Sequence, residues 1–164
     1  MDFILNNLRI GICLVLVISS CKCKDEELTI NRHLINNVMS IRLNGYYHRI
    51  SSDSSSVGTL IFYNDGSFYH FATQSNKSHP LLYFENIVLN NPQDIINNKM
   101  NCGVYELNTW TARMQYWAPS KTGSCWERFE WAGNFTSDSS IEIMGKKYHF
   151  KQFVKPDSIN NFIK

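Results

Sequence analysis

The sequence predicts an all-β protein, an antiparallel up-and-down β-barrel of about eight strands with a short N-terminal helical segment. From residue 41 onward, short runs rich in aromatic and β-branched residues alternate with turn residues. The 164 residues also include 18 asparagines, which favour turns over strands. The predicted strands cover residues 41–50, 57–63, 67–73, 81–89, 103–108, 110–118, 125–135, 140–144 and 147–154.

The N-terminal residues have the pattern of an export signal. Ile10 to Ile18 form an apolar run of nine residues after Arg9, which is too short to span a bilayer but fits the core of a signal peptide. Ile18-Ser19-Ser20-Cys21 resembles the lipobox of bacterial lipoproteins. The resemblance implies that residues 1–20 are removed and that Cys21 carries a diacylglycerol thioether. The alternatives are an ordinary secretory signal followed by a chance cysteine, or a short membrane anchor.

The residues after Cys21 predict a tether. Lys22 followed by Asp25-Glu26-Glu27 resembles the surface-export signal of lipoproteins in the Bacteroidota. The alternative is a charged, solvated tether of the kind that any lipoprotein could have. We therefore expect a lipid anchor in a bacterial outer membrane, on the periplasmic or the outer face. Residues 21–40 are interpreted as tether plus a short helix, since the apolar spacing within Leu28 to Met39 is helical.

Residues 41–164 are interpreted as one barrel domain, because the remaining length supports a single core. Asn64-Asp65-Gly66 supplies the residues that a tight hairpin needs, and Gly145-Lys146 marks a second hairpin. Apolar and polar residues alternate within the strands, which predicts a sheet with one face packed in the core and one face exposed to solvent. A long open meander would leave two unpaired edges, so we expect the sheet to close.

Four short patterns carry a resemblance to a family. They are Asn44-Gly45-Tyr46, the Phe62 to Phe68 hairpin, Cys102 to Leu107, and Trp131 to Phe135 followed by Ile141-Glu142-Ile143. Together they are similar to the lipocalin-like (calycin) lipoproteins of the Bacteroidota across residues 41–154. Where classical lipocalins have Gly-x-Trp in the first strand, Gly45 is followed here by Tyr46-Tyr47. The resemblance implies a barrel that holds a small molecule.

The motif search predicts a protein without catalytic or metal chemistry. The five histidines lack metal-site spacing, and no nucleophile or phosphate-loop motif is present. Glu127 and Glu130 lie three apart on one predicted strand, so they face opposite sides and cannot act on one bond together. The net charge of +2 with scattered lysines argues against nucleic acid. We expect no enzyme, no cofactor and no metal.

Two further sets of residues are candidates for a site or a bond. Cys102 and Cys125 begin predicted strands whose ends approach in a barrel, so they form a natural disulfide, with two separate thiols as the alternative. The aromatic residues exceed what a small barrel needs, and they suggest an interior that a ligand contacts. The alternative is an interior filled by side chains alone. The ligand-lining candidates are Tyr46, Phe62, Trp110, Tyr116, Phe129 and Trp131.

The expected function is a membrane-anchored lipoprotein whose barrel binds a small apolar or amphiphilic ligand. The alternative is a non-catalytic structural or interaction lipoprotein that docks another component of the cell envelope. Predicted polar loops at residues 51–56, 74–80 and 90–101 motivate the alternative.

Overall fold

The computed structural model describes residues 25–30, 41–54, 56–74, 79–90, 99–123 and 125–155. Its centre is a closed barrel of eight antiparallel strands, in which each strand pairs with its neighbours in sequence and β1 pairs with β8. The strands are β1 Gly45–Ile50, β2 Ser56–Phe62, β3 Ser67–Gln74, β4 Cys102–Asn108, β5 Thr111–Pro119, β6 Trp126–Ser137, β7 Ser140–Ile143 and β8 Lys146–Gln152. The predicted all-β barrel fold is confirmed.

The β2–β3 hairpin forms at the turn that the sequence marks most clearly. Gly66 has a φ of 79°, a conformation in which a side chain would be strained. Asp65 Oδ1 accepts hydrogen bonds from the backbone N–H (2.9 Å) and the hydroxyl (2.6 Å) of Ser67. Tyr105 N–H then donates to the Gly66 carbonyl at 2.8 Å, so the turn also fixes the neighbouring strand β4.

The fourth of the nine predicted strands, residues 81–89, is instead a helix, α1, Pro80–Asn90. An apolar run of this length is compatible with either a strand or a helix. Pro80 is well suited to the first helical position because its missing N–H has no helical partner there. Phe84 is buried against the barrel while Leu82 is 54% exposed, which is the one-sided burial of a surface helix.

Of the predicted N-terminal helix, Leu28 to Met39, the structure describes residues 28–30, and these are not helical. Residues 25–30, here called the strap, run without helical structure along the outside of the barrel. Residues 31–40, and with them most of the predicted helix, lie outside the described residues. None of the helices that the structure describes has the length and apolar character to cross a bilayer.

Alternate turns of the meander lie at opposite ends of the barrel. The upper end carries the β1–β2, β5–β6 and β7–β8 connections, together with the long β3–β4 connection that contains α1 and a 3-10 turn at Lys99–Asn101. The lower end carries the β2–β3, β4–β5 and β6–β7 turns. Both residue 41 and residue 155 are joined to the barrel at this lower end, at the start of β1 and the end of β8.

The lower half of the interior is filled by side chains. Phe62 lies 4.9 Å from Tyr105, and Tyr47 lies 5.7 Å from Phe135, measured between ring centroids with edge-to-face geometry. The Tyr105 hydroxyl donates to the Tyr63 carbonyl at 2.7 Å, which satisfies its polar atom inside this packing. The interior core as a whole extends from this lower half up to Tyr116, and its buried members are Tyr47, Leu60, Phe62, Phe68, Tyr105, Ala112, Met114, Tyr116, Phe135, Ile141 and Ile143.

A second core covers the outer face of part of the barrel. Tyr46 is fully buried there, with its ring 5.1 Å from Phe84 of α1 and its hydroxyl donating to Glu85 at 2.7 Å. Ile30 of the strap is buried in the same core. Several strands are therefore covered on both faces, whereas the sequence predicts one packed face and one solvent-exposed face.

Candidate ligand site at the upper end of the barrel

Four inward-facing rings meet near the upper end of the barrel and are here called the upper cluster: His70, Tyr116, Phe129 and Trp131. Ring centroids lie 4.4 Å apart for His70 and Tyr116, 5.2 Å for His70 and Trp131, and 4.5 Å for Tyr116 and Trp131. Phe129 lies 5.8 Å from Tyr116, its direct partner across the β5–β6 pair. Strand alternation places all four on the interior face.

The upper interior is open to solvent where the lower interior is not. Phe129 is 41% exposed, whereas Phe62 in the lower half is 1% exposed. The inward-facing residues that keep some exposure near this end include two charged ones, Arg49 and Glu127, besides Gly58, His70, Ala118, Phe129, Trp131 and Tyr148. Exposed aromatic surface beside a small number of polar groups is typical of a small-molecule site.

His70 supplies the polar group of the upper cluster. Its ring donates a hydrogen bond to the Met100 backbone, and because buried Nε2 has no partner, the donor is Nδ1. Burial lowers the pKa of His70 to about 4, so the ring is neutral at neutral pH. A neutral ring with its proton on Nδ1 presents Nε2 as a hydrogen-bond acceptor. The upper cluster thus combines apolar rings with one unused acceptor.

The six predicted lining residues do not all lie in one place in the structure. Tyr116, Phe129 and Trp131 belong to the upper cluster, and Phe62 faces inward but is packed in the lower core. The prediction is wrong for Tyr46, which lies on the outer face beneath α1, because the first strand is covered on both sides. It is also wrong for Trp110, which lies in the β4–β5 turn and is 49% exposed, since β5 begins only at Thr111.

Sequence reasoning missed His70 as a site residue, because it tested the histidines only for metal-site spacing. The available signal was its position two residues after Phe68 on the same strand, which places both on the inward face. Spacing alone did not show that the ring would lie among Tyr116 and Trp131, because those residues come from strands far away in sequence.

The strap is held to the outside of the barrel by polar contacts. Gln115, only 1% exposed, accepts hydrogen bonds at Oε1 from the backbone N–H groups of Thr29 (2.8 Å) and Ile30 (3.0 Å). Trp126 N–H donates to Asp25 Oδ1 at 3.0 Å, and Glu26 N–H donates to the Trp126 carbonyl at 2.9 Å. The strap therefore satisfies the first backbone groups of β6, where the four-residue strand β7 does not reach.

The charges of the strap are engaged by the barrel. Lys99 Nζ bonds Asp25 at 2.7 Å and lies over the rings of Trp117 (4.8 Å) and Trp126 (5.6 Å). The hydrogen bond from Lys99 lowers the pKa of the Asp25 carboxyl. A surface pocket of about 380 Å³ lies beside these contacts, and it is lined by Asp25, Glu26, Glu27, Thr29 and Arg128.

The two carboxylates of β6 do not form an acid–base pair. Glu130 makes a two-pronged ion pair with Arg113 of β5, with distances of 2.6 and 2.9 Å. This pairing lowers the pKa of Glu130 to about 2, which keeps it ionised. Within the described residues, no group of three His, Cys, Asp or Glu side chains could hold a metal ion.

The predicted disulfide between Cys102 and Cys125 is wrong. Cys102 is a buried thiol that donates to the Lys99 carbonyl with an Sγ···O distance of 3.3 Å. Cys125, in the β5–β6 connection, is disulfide-bonded, but not to Cys102. Cys102 begins β4 on its outer face, and the 3-10 turn before it directs its thiol to a backbone carbonyl instead. The predicted lipidation site, Cys21, also lies outside the described residues.

Neither family profiles nor curated proteins nor solved structures gave a match to this chain.

Proposed function

We propose that the chain is a lipoprotein, anchored through Cys21, that binds a small apolar or amphiphilic ligand against the upper cluster. The observation that carries the binding half is the presence of partly exposed, inward-facing rings around the unused acceptor of His70. The anchoring half depends on the lipobox of residues 18–21 and on the apolar run before it.

The rings of the upper cluster suit a flat or chain-like apolar group. Trp131 and Phe129 keep part of their surfaces in water, and covering them with a ligand removes apolar area from solvent at about 25 cal/mol per Å². Aromatic rings also stack in offset or edge-to-face geometry on a planar ligand. The lower half of the interior is already packed, so the ligand occupies only the upper part of the barrel.

His70 adds a preference for a ligand that carries a hydroxyl or N–H donor. Nε2 is buried without a partner, and a donor that reaches it recovers a hydrogen bond of about 1 kcal/mol net. Access to Nε2 requires the Trp131 ring to move, because this ring packs edge-to-face on His70. Binding should therefore change the environment of Trp131.

The test compares two probes of nearly equal shape, 2-naphthol and 2-methoxynaphthalene, in titrations followed by tryptophan fluorescence and calorimetry. We expect saturable binding of both and a preference for 2-naphthol of roughly tenfold. Trp131→Ala should weaken both probes, and the matched control Trp110→Ala, at the lower end, should weaken neither. His70→Phe should remove the preference for the hydroxyl. Absence of saturable binding of either probe by the unaltered chain would contradict the binding proposal.

A second candidate function is docking of another component of the cell envelope without catalysis. It is favoured by exposed apolar side chains away from the upper cluster: Trp110 is 49% exposed in a lower turn, and Val154 is 85% exposed after β8, also at the lower end. Surface aromatics of this kind are enriched at interfaces. Chemical crosslinking in intact cells, with Trp110→Ala and Val154→Ser as variants, tests this candidate: a crosslinked protein lost in both variants supports it.

A further inference from the structure

We propose that the upper end of the barrel faces the membrane surface, with the lipid bilayer as its docking partner and the upper cluster turned toward it. This inference depends on the proposed anchor at Cys21. It goes beyond that anchor because a lipid on a flexible tether would leave the barrel free to take any orientation.

The strap has a defined direction along the barrel. Asp25 and Glu26 are bonded to Trp126, the first residue of β6 at the upper end. Thr29 and Ile30 are bonded to Gln115, in the middle of β5. Traced backwards from Ile30 to Asp25, the chain therefore leads toward the upper end.

The segment before the strap is too short to carry an anchor to the other end. Three residues separate Cys21 from Asp25, so their Cα atoms lie at most about 15 Å apart, at 3.8 Å per residue. The nine residues of β5 extend over about 26 Å at 3.3 Å per step. A lipid on Cys21 is thus confined to the neighbourhood of the upper end.

The rim of the upper end carries exposed apolar side chains. Met144, at the tip of the β7–β8 turn, is 74% exposed, and Ile50, at the end of β1, is 41% exposed, as is Phe129. The charged side chains at this end have both signs and include Arg49, Lys121, Lys146, Lys147, Asp25, Asp53 and Glu127. Because the charges are mixed, we expect contact with a zwitterionic bilayer and no requirement for anionic lipid.

The first measurement is hydroxyl-radical oxidation of the lipidated chain on phosphatidylcholine vesicles. The reference is the Cys21→Ser chain without residues 1–20, in solution beside the same vesicles. We expect oxidation of Met144 to fall severalfold on the vesicles and oxidation of Trp110, at the lower end, to stay unchanged. A fall at Trp110, or no fall at Met144, would overturn the orientation.

The second measurement is mass spectrometry of the N-terminal peptide of the mature chain, which separates the two proposals. A lipidated Cys21 together with a protected Met144 supports both. A lipidated Cys21 with an unprotected Met144 overturns the membrane orientation alone. A mature chain that carries no lipid overturns the anchor itself.

Discussion

Gln115 and Thr29 bond each other in both directions. The Thr29 backbone N–H donates to Gln115 Oε1, and Gln115 Nε2 donates to Thr29 Oγ1, each at 2.8 Å. Gln115 is a buried polar residue on the outer face of β5, and its Oε1 would lose its donors if the strap were absent, whereas its Nε2 would keep a hydrogen bond to Glu130 Oε2 at 2.9 Å. The strap and the barrel therefore depend on each other.

Gln115→Ala should release the strap without opening the barrel. The substitution leaves the buried N–H of Ile30 and the N–H of Thr29 without their acceptor, at a cost of roughly 1–3 kcal/mol. Hydrogen exchange should become faster in residues 25–30 and stay slow in β2. Arg113→Ala, on the same strand and face but exposed, is the matched control and should leave exchange in the strap unchanged. Equal exchange in both variants would mean that Gln115 does not hold the strap.

His70 should make the protein lose stability as the pH falls below 6.5. Burial lowers its pKa to about 4 in the folded state, so between pH 6.5 and 4 the unfolded chain binds more protons and unfolding is favoured. The shift corresponds to at most roughly 3 kcal/mol. Urea titrations at pH 7 and pH 5 should show a smaller loss for His70→Phe than for the unaltered chain. Some loss will remain, because burial also lowers the pKa of His48.

Lys155 should produce a gain of stability as the pH rises above 8. Its Nζ donates to the Phe62 carbonyl at 2.6 Å and lies 4.3 Å from the centroid of the Tyr63 ring, and burial lowers its pKa to about 8. Between pH 8 and 10 the unfolded chain holds more protons than the folded chain, so the free energy of unfolding rises with pH. Unfolding at pH 8 and 9.5 should show a rise of about 1–2 kcal/mol that Lys155→Met lacks. The same rise in the variant would contradict the assignment to Lys155.

Cys21→Ser should leave an uncleaved or soluble precursor, because only a thiol at the cleavage junction can form the thioether. Each acyl chain contributes on the order of 10 kcal/mol to membrane affinity. Lys22 and Lys24 could add only about 1 kcal/mol each near an anionic surface. Membrane fractionation with N-terminal peptide mass analysis measures the loss. Cys23→Ser is the control and should stay anchored, and a processed Cys21→Ser chain that still partitions with membranes would refute the lipid anchor.

Local patterns in the sequence were sufficient for the eight strands of the barrel and the turns between them, although they also predicted a strand where α1 lies. Hairpins such as Asn64-Asp65-Gly66 depend on residues next to each other in the chain, and their backbone preferences act before any tertiary contact. Closure of the meander followed because an open sheet of this length would have exposed two edges. The predicted barrel was therefore accessible from the sequence.

The tertiary structure decided which face of each strand points inward and what covers the other. Tyr46 and Tyr47 are neighbours on opposite faces of β1, yet both are almost fully buried, so hydrophobicity alone could not tell interior from exterior. The apolar run of α1 was equally ambiguous until its packing on the barrel fixed it as a helix. The cysteine pairing and the position of His70 among Tyr116 and Trp131 depend on contacts between residues far apart in sequence, and such contacts leave no local pattern to detect.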